Sequence, residues 1–234
     1  MSIDEAVLSL QDVLFGWTPG SELLRIRAFS IKRGQSVFLR GPSGSGKSTL
    51  LGLVSGVIAP DAGRIDICGQ DLVRIPGSRR DVLRADHLGI IFQQFNLLPY
   101  LDVIQNVTLP CRFSKLRRDK AREMTKTVTG QAIHLAESLG LSSADISKTV
   151  SELSVGQQQR VAVARALIGG PDLIIADEPT SALDHKNRDR FIEILNDQRH
   201  RFNSSLLFVS HDETLSSHFD EALDLSDINT RAQS

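Results

Sequence analysis

The chain has 234 residues, 41% of them apolar and 24% charged, with a formal net charge of −1. That is enough for one full core with a smaller lobe, and it removes any global electrostatic case for a nucleic-acid binder. Its two cysteines, Cys68 and Cys111, lie far apart without metal-ligand spacing, which argues against a disulfide framework or zinc site and fits a reducing cytoplasm.

The first ten residues carry Asp4 and Glu5 and no cationic start, which is not signal-peptide composition. Val7, Leu8, Leu10, Val13 and Leu14 form an apolar stretch, and Leu24, Ile26 and Ala28 alternate with Arg25 and Arg27. Both predict strands, the second with one solvated face. Gly16, Trp17, Thr18, Pro19 and Gly20 between them are turn chemistry. A short apolar strand over 36–40 runs into a Gly-rich loop and then a helix over 47–55, closed by Gly56. Further strands are predicted over 63–69 and 89–92, the latter buried.

From about residue 95 to 170 the pattern turns helical. Ala132, Ile133, Leu135, Ala136 and Leu139 keep a 3.6-residue period closed by Gly140, and another helix follows Ser154 with Val161, Ala164 and Ile168 on one face. The unbroken apolar runs 173–176 and 206–209 predict strands covered on both faces, hence a largely parallel sheet. The fold class is α/β with a helical insertion. No apolar run approaches the roughly 18–20 residues that cross a bilayer, so any membrane part would come from another chain.

Gly41, Pro42, Ser43, Gly44, Ser45, Gly46, Lys47 and Ser48 match G-x-x-x-x-G-K-[ST] at every fixed position. Glycines there let backbone N–H groups point at phosphate oxygens, and the helix that follows adds its positive end. Lys47 can reach the β- and γ-phosphates and Ser48 can ligate magnesium. Asp177 and Glu178 end the run 173–176, so both carboxylates fall at the strand's carboxyl edge, where open α/β sheets bind ligands. Asp177 can hold magnesium, and Glu178 can orient or deprotonate an attacking water.

Glu152, Leu153, Ser154, Val155, Gly156, Gln157, Gln158, Gln159 and Arg160 resemble the signature motif of ATP-binding-cassette (ABC) domains, with Val155 in place of the first glycine of the usual pair. Ser181, Ala182, Leu183 and Asp184 resemble the D-loop of that family, Gln93 its Q-loop glutamine and His211 its switch histidine. Gln94 competes with Gln93, which strand register favours. The resemblance covers about residues 5–225. It implies a P-loop NTPase core of mainly parallel sheet, over 1–93 and 171–234, an N-terminal antiparallel sub-sheet, and an inserted helical signature subdomain over 94–170.

It also implies an ATPase using ATP and magnesium, with Thr49 beside the phosphate loop and an adenine-stacking aromatic at Trp17, for which Phe15 competes. Ser154, Gly156, Gln157 and Asp184 would face the nucleotide of a second copy, or a related chain, in a closed dimer. The stretch Ile91, Phe92, Gln93, Gln94, Phe95, Asn96, Leu97, Leu98 and Pro99 resembles the lipoprotein-release and macrolide-efflux branch, with its LolD, MacB, DevA and FtsE types. That implies integral-membrane permease partners of MacB or FtsX type, a peripheral place on the cytoplasmic face of the inner or plasma membrane, and no nucleic acid. Transport and an FtsE-like regulatory role on the cell envelope are the two readings it leaves. Arg112, Lys115, Arg117, Arg118, Lys120, Arg122 and Lys126 read as a solvated basic face, with acidic lipid headgroups or a partner helix as the alternative.

Overall fold

The computed structural model describes residues 6–181, 183 and 185–230. Strands β1 (Ala6–Phe15) and β2 (Leu24–Lys32) pair antiparallel, as the opening pattern predicts. The β2 alternation changes phase, however: Arg27 and Ala28 both face solvent, and Phe29 and Ile31 resume the buried side. Ala28 pairs with Gln11, beside Asp12, whose φ of 49° breaks the regular pleat of β1.

Strand β3 (Ser36–Arg40) leads into helix α1 (Lys47–Val54), and Gly56 follows with φ 69°, the left-handed C-terminal stop expected of it. Strands β4 (Ala62–Ile67) and β5 (Gln70–Asp71) complete an antiparallel sheet of order β2-β1-β4-β5. Helix α2 (Gly77–His87) then feeds β6 (Leu88–Ile91). Phe92, expected inside that buried strand, lies beyond its end and is exposed.

Five α-helices, with a short 3-10 turn over Val150–Glu152 before the last, separate β6 from the next strand: α3 (Val103–Phe113), α4 (Lys115–Thr125), α5 (Val128–Ser138), α6 (Ser143–Ile146) and α7 (Val155–Leu167). Helix α5 buries Ala132, Leu135 and Ala136 but leaves Ile133 at the surface, on the edge of its apolar stripe. Strand β7 (Leu173–Asp177), helix α8 (His185–Phe202), β8 (Ser205–Val209), β9 (Glu221–Asp224) and α9 (Leu225–Ile228) follow. The second sheet has order β6-β7-β8-β3-β9, and every pairing in it is parallel.

That sheet divides the core by the two-residue pleat. Val37, Leu39, Leu173, Ile175, Leu207 and Val209 pack toward the antiparallel sheet and α1. Phe38, Ile174, Ala176, Leu206 and Phe208 pack toward the helices. Strands covered on both sides account for the unbroken apolar runs.

The basic segment in α4 is not uniformly solvated. Arg117 is 2% exposed, and its guanidinium donates to the carbonyls of Ile168 at 2.7 Å, Ala166 at 2.6 Å, Leu88 at 3.1 Å and Arg165 at 3.4 Å. It therefore ties α4 to the C-terminal end of α7 and to β6, satisfying carbonyls that a helix end leaves open. Burial brings its pKa down to about 10. The close approach depends on Gly169, with φ 71°, where a Cβ would stand 2.4 Å from the Arg117 carbonyl oxygen. Arg112, Lys115, Arg122 and Lys126 are exposed.

Candidate active site

Strands β3, β7 and β8 are parallel neighbours, so their carboxyl ends open on one edge of the sheet. The residues following those ends are the ones the sequence singles out. After β3, Gly44 and Gly46 hold φ of 80° and 105°, a left-handed backbone that glycine adopts without Cβ strain. Gly46 caps α1 without a side-chain hydrogen bond, so the N-terminal end of that helix faces the loop with no side-chain cap of its own.

The Lys47 ammonium folds back over the loop, donating to the carbonyls of Gly41 at 2.6 Å and Pro42 at 3.0 Å. Ser45 Oγ is buried and finds no hydrogen-bond partner among the described residues. An orphaned hydroxyl in such a loop fits an oxygen-rich group seated beside it.

At the end of β7, Asp177 is half-buried. Burial pushes its carboxyl pKa up, the Glu178 carboxylate adds to that, and Lys47 opposes it. The Glu178 N–H donates to the Val209 carbonyl at 2.9 Å, which carries the chain across to β8. Its carboxylate accepts from Ser210 Oγ at 3.3 Å and meets His211 Nδ1 at 2.9 Å.

A cleft of about 650 Å³ opens over this edge, lined by Trp17, Leu23, Ser43, Gly44, Gly46, Lys47, Ser48, Thr49, Gln93, Asp177, Glu178 and His211. Gln93 reaches it from the turn after β6, whereas Gln94 is not among its lining residues. Trp17 is 65% exposed and stands edge-on to Phe15, at 5.1 Å between ring centroids. Phe15 itself is core.

Ser154, Gly156 and Gln157 do not reach this cleft; they line a different pocket, against α8. Ser154 caps α7 reciprocally: its Oγ accepts from the Gln157 N–H at 3.3 Å, and Gln157 Oε1 accepts from the Ser154 N–H at 2.9 Å. A Cβ on Gly156 would meet nothing within 4 Å, so nothing described in this chain demands glycine there. Asp184 lies outside the described residues.

Two contacts escape sequence reasoning. Ser210 supports Glu178, and its place just before His211 at a strand end is the signal that could have found it. Gln159 is buried in α7 and donates through Nε2 to the Pro179 carbonyl at 2.6 Å, joining the signature helix to the segment after Glu178. Its setting within Gln157, Gln158 and Gln159 gave no means of choosing among the three.

The family described as ABC transporter matches residues 24–181. This chain belongs to that family. The cassette is 35% identical to the lipoprotein-releasing system ATP-binding protein LolD of Acinetobacter baylyi, over 96% of this chain and 97% of that protein. It is 36% identical to the macrolide export ATP-binding/permease protein MacB of Rhodopseudomonas palustris over 87% of its length, spanning 30% of that longer protein. Among solved structures, a dimeric ATP-binding cassette in a post-hydrolysis state bound to ADP and Pi superposes with TM-score 0.80 at 31% identity, over 93% of each chain. The cassette is therefore an ABC-type ATPase. No helix among its described residues is long and apolar enough to cross a membrane.

Proposed function

We propose that the cassette binds MgATP in the cleft at the carboxyl edge of its parallel sheet, hydrolyses it there, and energises a separate membrane permease. The observation that carries this reading is the convergence of the 41–48 loop, Asp177, Glu178 and His211 on that single cleft.

In this reading Gly41, Pro42, Ser43, Gly44, Ser45 and Gly46 wrap the phosphates. Lys47 leaves its loop carbonyls to neutralise the β- and γ-oxygens, and Thr49 supports the loop. Trp17 stacks on the base. Ser48, Gln93 and Asp177, which line the same cleft, form an all-oxygen donor set of the kind a hard divalent ion takes. Magnesium, when bound, would offset negative charge on the phosphates. Glu178 orients the attacking water and accepts its proton, and His211 holds the γ-phosphate.

The signature acts in trans. Gly156 has no demand for its missing side chain within this chain, which fits a phosphate of a facing copy occupying that space. Ser154, Gly156, Gln157 and Asp184 then close a symmetric two-site dimer. Residues 1–93 with 171–234 form the nucleotide-binding core, and 94–170 the lobe that pushes on the partner.

The names of the LolD and MacB relatives favour release of a lipoprotein or export of a macrolide-type substrate; our reading extends this to lipid or peptide cargo, to mechanotransmission, and to a permease of MacB or FtsX type. The cassette would sit peripherally on the cytoplasmic face of the membrane. Purification of the tagged chain from membranes, with ATPase measured on the complex, tests this. A co-purifying multispanning protein that stimulates hydrolysis is expected, and a nucleic-acid companion in its place would overturn the reading.

A further inference from the structure

Cys68, His87 and Asp172 are distant in sequence but meet at the end of the sheet opposite the cleft. Cys68 follows β4 in the turn to β5, His87 is the last residue of α2, and Asp172 directly precedes β7. One ligand-capable atom from each lies within 4.8 Å of the other two, and all three side chains are half-buried. The sequence shows no metal-ligand spacing because the three arrive on separate elements: the β4–β5 turn, the end of α2 and the residue before β7.

The contacts around the cluster are already those of a prepared site. Asp172 Oδ1 accepts from Arg33 Nη1 at 2.8 Å, while Oδ2 faces His87 Nδ1 at 2.8 Å. Arg33 thus fixes the carboxylate through one oxygen and leaves the other toward the cluster, as outer partners of metal ligands do. Metal ions compete with protons for such donors.

We propose that Cys68, His87 and Asp172 form a three-ligand site for a zinc-class divalent ion, with a fourth position open to water. Sulfur, nitrogen and oxygen donors together suit zinc, whereas a hard ion such as magnesium takes oxygen and leaves thiolate aside. The thiolate and carboxylate balance the double charge of the ion. Two cations stand nearby: Arg33 donates to Asp172 Oδ1 and also interacts with Cys68, so an ion would have to displace it from the thiol, while Lys120 is engaged on the Gly170 carbonyl.

The site is remote from the nucleotide cleft. From Asp172, just before β7, to Asp177 at its end is roughly 16 Å at the usual rise per residue, so the ion would sit a strand's length from the nucleotide. It would pin the β4–β5 turn of the antiparallel sheet to the parallel one. The inference is independent of the proposed function.

The test uses Co²⁺ as a spectroscopic stand-in, titrated into chelator-treated, nucleotide-free protein. One equivalent should produce a near-ultraviolet sulfur-to-cobalt charge-transfer band, bleached by Zn²⁺. C68S should lose the band, and H87Q and D172N should each weaken Co²⁺ binding by on the order of tenfold or more. Equimolar Zn²⁺ should raise the Tm of the unsubstituted protein and not that of C68S. Absence of the band at one equivalent overturns the proposal. So does a band that survives in C68S, which would assign it to Cys111, or unchanged affinity in folded H87Q.

Discussion

His211 Nδ1 lies 3.0 Å from Oε1 and 2.9 Å from Oε2 of Glu178, so a single ring nitrogen straddles both oxygens of the carboxylate. The Glu178 side chain is 13% exposed and that of His211 is 70% exposed, so the imidazole forms the outer wall of the pair. Their meeting follows from β7 and β8 being adjacent and parallel, with both residues just past the strand ends. Glu178→Gln keeps the shape but loses the base. ATP affinity should be retained, single-turnover hydrolysis should fall about 10²–10⁴-fold, and a nucleotide-trapped dimer should appear on gel filtration. Near-normal turnover would remove Glu178 from its assigned role.

The Lys47 ammonium donates to two loop carbonyls, which phosphate oxygens would outbid as its partners. Lys47→Ala should weaken ATP binding by about tenfold to a hundredfold, measured by isothermal titration, while the Tm without nucleotide barely moves.

Trp17 is the sole tryptophan and is exposed at the cleft wall, so its fluorescence reports on the site directly. ATP should change that emission. Trp17→Ala should weaken ATP binding by about tenfold, the order expected for one aromatic stacked on a base. An emission insensitive to nucleotide would place the base elsewhere.

These residues were legible because each belongs to a short local pattern next to a strand end: the 41–48 loop, the Asp177 and Glu178 pair, the Ser154 cap. What the sequence hid depends on approach between distant segments. Arg117 reads as one charge in a basic run, and only the left-handed Gly169 beside it brings the carbonyls that bury it. Ala28 reads as a buried position until Asp12, on the neighbouring strand, shifts the pleat. Cys68, His87 and Asp172 converge only once both sheets are in place.

Arg117 offers a test of that packing. Arg117→Met fills the space but strands several buried carbonyls, which should lower stability by about 3 kcal/mol or more, read as a reduced urea midpoint. Arg117→Lys should not rescue it, because an ammonium lacks the planar fork that spans Leu88, Ala166 and Ile168.

Gly156 separates folding from function. It lies in the first turn of α7 with open space where a side chain would go. Gly156→Ala should leave the isolated chain as stable or up to about 1 kcal/mol more stable, as alanine favours helix. Turnover in the assembled complex should nonetheless drop, because a methyl group would occupy the space facing the second copy. Equal loss of both, seen in a melt and an ATPase assay, would make the role of this glycine local to the chain.

Glu178 adopts φ 45°, a left-handed backbone that burdens most residues bearing a Cβ by about 1–2 kcal/mol. Glycine or asparagine would rest there more comfortably. Random substitution screened for thermal robustness alone would therefore tend to erase this glutamate, and a hardened variant could emerge that is inert. In the role proposed for it, the strain at Glu178 is a stability cost borne for turnover.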